Sequence, residues 1–69
     1  MNLQHIHTVY HEYAPQEVEI LRNLDDNTMS LRLIDDGIHH PQCDVHGIVE
    51  GEAESHAIQL LVAFNRTVG

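Results

Sequence analysis

Residues 39 to 46 read His-His-Pro-Gln-Cys-Asp-Val-His, which puts three of the chain's seven histidines and its one cysteine within eight positions. Thiolate and imidazole together are donors that favour a zinc-type ion over magnesium or calcium. Cys43 and His46 stand at a Cys-x-x-His spacing, with His39 and His40 close by. A second fragment lies near the start of the chain, where His5 and His7 fall in an alternating segment. On a regular strand such a pair projects side by side from one face and can chelate one ion. A zinc site would therefore draw on His5, His7, Cys43 and His46. A structural zinc motif normally shows two ligand pairs of recognised spacing, whereas here the two fragments are unlike each other.

The same segment offers a nucleophile, Cys43, with His40 or His46 as base and Asp44 as orienting group. Catalytic groups are normally held by different rigid elements, and these neighbours share one apparent loop. The chain also lacks a glycine-rich phosphate cradle and a cofactor signature, so the expectation is a protein that is not an enzyme. The paired carboxylates Asp25-Asp26 and Asp35-Asp36 do not make a calcium loop. An EF-hand needs oxygen donors at alternating positions, a central glycine and a closing glutamate, and residues 25–37 show no such pattern.

Charge says more than any motif. Eleven Asp and Glu face three Arg and no Lys, for a formal net charge of −8. Such a chain is repelled by phosphate backbones, so no direct nucleic-acid binding is expected, and it attracts basic protein surfaces. Asp25, Asp26, Asp35, Asp36, Asp44, Glu50, Glu52 and Glu54 are the residues that would face such a partner. The functional expectation is a small acidic protein-binding module, an inhibitor or decoy that occupies a basic, nucleic-acid-binding surface. Phage-encoded counter-defence proteins of the anti-CRISPR kind are the analogy, one of size and charge. The alternatives are a zinc-type metal-binding protein using the four ligands above, and a structural subunit that assembles with itself. Protonating all seven histidines would bring the formal charge from −8 to −1, so the field of the molecule depends steeply on pH near neutrality.

The elements that must position these residues follow from periodicity. At 69 residues the chain is one domain, 1–69, and a chain of this size buries only about 60% of the surface its unfolded form exposes. Three aromatic residues, Tyr10, Tyr13 and Phe64, leave the core to aliphatic side chains, so a homodimer is the expected supplement. A single cysteine gives no disulfide framework, and the start of the chain shows no basic, apolar leader; together these suggest a cytoplasmic protein. No run approaches the length of apolar residues that spans a membrane.

Residues 3 to 13 alternate as a strand. Ala14-Pro15 then interrupts, and Pro at a first helical position, followed by Glu17, Glu19 and the spaced Val18, Leu21 and Leu24, predicts a helix over 15–24. Residues 28 to 34 form the clearest half-buried strand, with Met29, Leu31 and Leu33 set against Ser30, Arg32 and Ile34. The first half of the segment 39–46 reads as loop, and a short strand follows, centred on Val45 to Val49. The last segment fits a strand or a helix. Glu52 and Glu54 at its start, Arg66 near its end and Gly69 beyond favour helix. The fold class expected is α+β, in the order β-α-β-β-α, with a three-stranded sheet carrying two helices on one face.

Overall fold

The computed structural model describes residues 2–68, and side chains from 2 to 65. Strands β1 (Leu3–Tyr10), β2 (Gln16–Asn23) and β3 (Met29–Asp35) run as an antiparallel meander. The far edge of β3 is shared by two short strands, β4 (Ile38–His39) and β5 (Val45–Ile48), separated by a 3-10 turn at Pro41–Cys43. A second 3-10 turn, Glu50–Glu52, leads into the helix α1 (Ala53–Val68), which packs chiefly on β2 and β3. The fold is thus α+β, an antiparallel sheet with one C-terminal helix. Among the described residues no helix is long and apolar enough to cross a membrane.

The core lies between sheet and helix. Val18 stands opposite Leu33 and Ile20 opposite Leu31, so all four share the helix-side face, and they are at most 4% exposed. Ala53, Ala57 and Leu61, spaced four apart on α1, close over them. Two alanines in that row bring the helix backbone near the sheet. Met29 and Ile48 seal one end of the core, while Val9, Cys43, Val45, Leu60 and Phe64 pack around its margin.

The expected three-stranded, two-helix arrangement is corrected in one main place: residues 16–23 form a central strand, not a helix. The helix expectation rested on Val18, Leu21 and Leu24. The structure uses Val18 and Ile20 on one face and Glu17, Glu19 and Leu21 on the other, with Leu24 exposed in the turn beyond. The physical reason is tertiary. β3 is apolar on its helix-side face and needs an in-register neighbour, and two β-branched residues two apart supply one. Glu19 lies opposite Arg32 with 3.9 Å between their charged groups, which suits a strand surface. The expected strands over 28–34 and 45–49 and the helix over the last segment are all present, and the strand over 3–13 stops at Tyr10. The loop expected over the first half of 39–46 holds the end of β4 and the start of the Pro41–Cys43 turn. The proposed cap at Gly69 and the side chain of Arg66 lie outside the described residues.

The connections explain where the sheet ends. Asp35 pairs with Ile38 across Asp36 and Gly37, whose φ angles are 51° and 80°. This is a two-residue hairpin turn in which both residues take the left-handed conformation, and Asp-Gly is the sequence such a turn favours. Between β2 and β3, the Asn23 side chain accepts from the Asp25 N–H, and Asn27 takes a φ of 61°. In the β1–β2 connection Tyr13 is 97% exposed with a φ of 72°, a conformation costly for a bulky residue.

Two expectations test this packing. Leu33→Ala, at a fully buried position, should cost about 2–5 kcal/mol, comparable with the whole stability of so small a domain. Chemical denaturation should then show a lost or strongly shifted cooperative transition, and an unshifted one would refute the placement of β3. Tyr13→Gly should raise stability by up to about 1 kcal/mol, the left-handed strain outweighing the entropy of glycine. A fall in melting temperature would show that the Tyr13 ring makes contacts that outweigh its backbone.

Candidate functional site

The histidine-rich segment lies along the outer edge of β3, and its members point to different places. His39 pairs with Ile34 at the end of β4, and its Nε2 sits 2.8 Å from a carboxylate oxygen of Asp44. The His40 ring meets the ring of Phe64 edge-on at a centroid distance of 5.4 Å, lies 4.0 Å from the Asp35 carboxylate, and accepts from Gln42 on Nδ1. His46 Nδ1 is 2.9 Å from the Ser30 hydroxyl. Since Ser30 alternates with the core residues Met29 and Leu31, that contact is on the face of the sheet away from the helix. Cys43 is half-buried against the core margin, where it lines an open apolar hollow of about 300 Å³ with Leu60, Ala63 and Phe64. The loop is tied internally by the Cys43 N–H to the His40 carbonyl and the Asp44 N–H to the Pro41 carbonyl.

His5 and His7 are also separated. His5 stands opposite Leu21, whereas His7 stands opposite Ile20, so one extra residue, Ile6, is inserted in β1 as a β-bulge. Leu21 and Ile20 are adjacent on β2 and face opposite ways, so the two imidazoles do too. His5 Nε2 contacts the Thr8 hydroxyl at 2.8 Å, on the open face. The four residues expected to hold zinc, His5, His7, Cys43 and His46, are therefore not brought together. Among the described residues no three His, Cys, Asp or Glu side chains form a group that could hold a metal ion.

The nucleophile arrangement is likewise dispersed. His39, His40 and His46 bond to Asp44, Gln42 and Ser30, not to Cys43. Among the described residues, Ser30 and His46 make the one hydroxyl–imidazole contact between different strands, and Ser30 is 1% exposed, which puts its hydroxyl beyond the reach of a substrate.

The carboxylates, by contrast, are gathered by the fold. Met29 pairs with Ile48, which brings the β2–β3 turn and the β5–α1 connection to the same end of the sheet. Asp25, Asp26, Glu50, Glu52 and Glu54 are all exposed there. Arg22, near the end of β2, pairs with Glu50 and fastens the connection to the sheet. Spacing could not reveal this tie, because 28 residues separate the two partners. Asp35 and Asp36 lie at the opposite end, where the Asp36 N–H donates to the Pro15 carbonyl and Asp35 accepts from Gln16. Asp44, engaged by His39, sits between the two ends on the β3 edge. The eight acidic residues expected to form one surface thus divide, five at one end.

One of the five has a local structural duty. The Thr28 hydroxyl donates to the Asp26 carboxylate at 2.7 Å and the Thr28 N–H at 3.0 Å, and these bonds hold the carboxyl below its ordinary value. Comparisons with models of protein families, with curated proteins and with solved structures each return no match.

Because the folded state lowers the Asp26 pKa, its contribution to stability is present above the ordinary carboxylate range and is lost as pH falls through the folded value. Asp26→Ala should lower the melting temperature at pH 7, with the gap from wild type closing in strong acid, as the pH falls through the lowered folded value. Thermal melts at both pH values check this, and a gap that persists in acid would show that the ionised carboxylate is not what stabilises the turn.

Proposed function

We propose that this chain is a small protein-binding module, not an enzyme, and that its acidic end occupies a basic surface of a partner protein as an inhibitor or decoy. One observation carries the reading: among the described residues, five exposed carboxylates share one end of the molecule with a single arginine, Arg22, which is already paired. The common sign of these carboxylates steers a cationic partner toward that end. A groove built for nucleic acid presents the complementary charges. The phage counter-defence role is a narrower form of this reading that rests on size and charge.

An arginine-rich peptide, titrated by fluorescence anisotropy, serves as the probe. Wild-type affinity should fall steeply between about 50 and 300 mM salt. The triple substitution Asp25→Asn, Glu52→Gln, Glu54→Gln should weaken binding by about tenfold or more, while Asp35→Asn with Asp36→Asn should change it by less than about twofold. Equal losses from both ends would mean that the charge is diffuse and that no acidic end acts as a site.

A further inference from the structure

Strand β1 forms one edge of the sheet, and among the described residues it pairs with β2 alone. The helix layer is unfinished along the same edge. Leu60, Ala63 and Phe64 turn toward Cys43, on the β3 side. At 3.6 residues per turn, Ile58 and Val62 then occupy the opposite flank of α1, toward β1, where they are 47% and 44% exposed. An exposed strand edge with an aliphatic helix flank beside it is a surface ready to be continued by another sheet and helix.

Charge identifies what can continue it. None of the eleven acidic residues lies between Asn2 and His11. In a chain of net charge −8, this edge is where a second copy can approach without carboxylates opposing each other. A basic partner, drawn to the acidic end, has no such reason to prefer it.

The bulge supplies the third argument. In an antiparallel pair, directly opposite residues share a face, and side chains alternate with period two. A regular strand of eight residues, an even number, has its ends on opposite faces and cannot pair with its own copy over its full length. The extra residue at Ile6 changes that. Leu3 stands opposite Asn23 and Tyr10 opposite Glu17, residues that share the open face of β2, so both ends of β1 now face the same way. The same holds for Gln4 with Val9 and for His5 with Thr8.

We propose that a second copy of this chain pairs antiparallel with β1, with Leu3 opposite Tyr10 of that copy, joining the two sheets into one and bringing the Ile58–Val62 flanks together across the two-fold axis. This assembly is independent of the acidic-end function.

Sedimentation and light scattering at about 100 μM should give twice the chain mass of 7.9 kDa, falling on dilution. Ile6→Lys and, separately, Val62→Lys should each shift the protein to monomer with an unchanged far-ultraviolet circular dichroism spectrum. The helix-surface variant covers the case in which the strand variant fails to fold. Register is read by cross-linking in a Cys43→Ser background. Leu3→Cys with Tyr10→Cys should form a covalent dimer under mild oxidation with oxidised glutathione. Leu3→Cys with Thr8→Cys should not. Within one chain positions 3 and 10 are about 20 Å apart along the strand, far beyond the span of about 7 Å that a disulfide allows. A wild-type chain that stays monomeric at about 1 mM would overturn the proposal and make the bulge a device against edge pairing. So would a dimer that survives both lysine substitutions, or cross-linking without preference for the 3/10 pair.

Discussion

Everything in this molecule depends on the pairing of Val18 and Ile20 with Leu33 and Leu31 beneath Ala53, Ala57 and Leu61. The chain has three aromatic residues, and two of them, Tyr10 and Tyr13, are exposed at 69% and 97%. Large rings are therefore absent from the middle of the core, and burial must come from close approach of small and aliphatic groups. The alanines on α1 permit that approach. Once β2 and β3 are fixed in this register, the rest of the layout follows. The turn after β2 meets the connection before α1, the hairpin after β3 lies at the other end, and β1 is left as the edge.

Much of this was legible in the residues. The alternation of Met29, Leu31 and Leu33 marked β3, and the acidic start at Glu52 and Glu54 marked α1. The misreading of residues 16–23 has a definite physical source. Val18, Ile20 and Leu21 satisfy both a helical and a strand period over so short a window, and Pro15 suits a helix start as readily as a turn. The deciding fact, that β3 needs a neighbour on that side, is not local. Asp36-Gly37 carried a clear signal for a two-residue hairpin, and the strand it creates, β4, is too short for periodicity to reveal. The bulge at Ile6 left no mark that composition or spacing could show, and it is what separates His5 from His7.

Nearness in sequence gives the histidines of residues 39–46 the look of one cluster, but nearness in sequence does not give side chains a common aim. A 3-10 turn and a change of strand lie between His40 and His46. The side chains then settle on whatever lies beside each: the Asp44 carboxylate, the Phe64 ring, the Ser30 hydroxyl, and, for His56, Glu52 one turn away on the approach to α1. Acidic residues behaved in the opposite manner. They are scattered in sequence, yet turns concentrate them, since turns are where short polar side chains are placed and where strand ends converge.

The order of elements has a consequence for how the chain is made. The three strands of the meander join neighbours in sequence, so their hairpins can form as soon as each is complete. Their apolar face has no cover until α1, which comes only after β4 and β5, has been synthesised. At about 5–20 residues per second, roughly one to six seconds separate Leu33 from Leu61 emerging from the ribosome. Through that interval the nascent chain presents a wet aliphatic sheet with an open edge, the form most prone to stick to its neighbours. Five of the eleven acidic residues precede Leu33 and the other six emerge before Leu61, so the negative charge that holds such half-made chains apart builds up over the same interval.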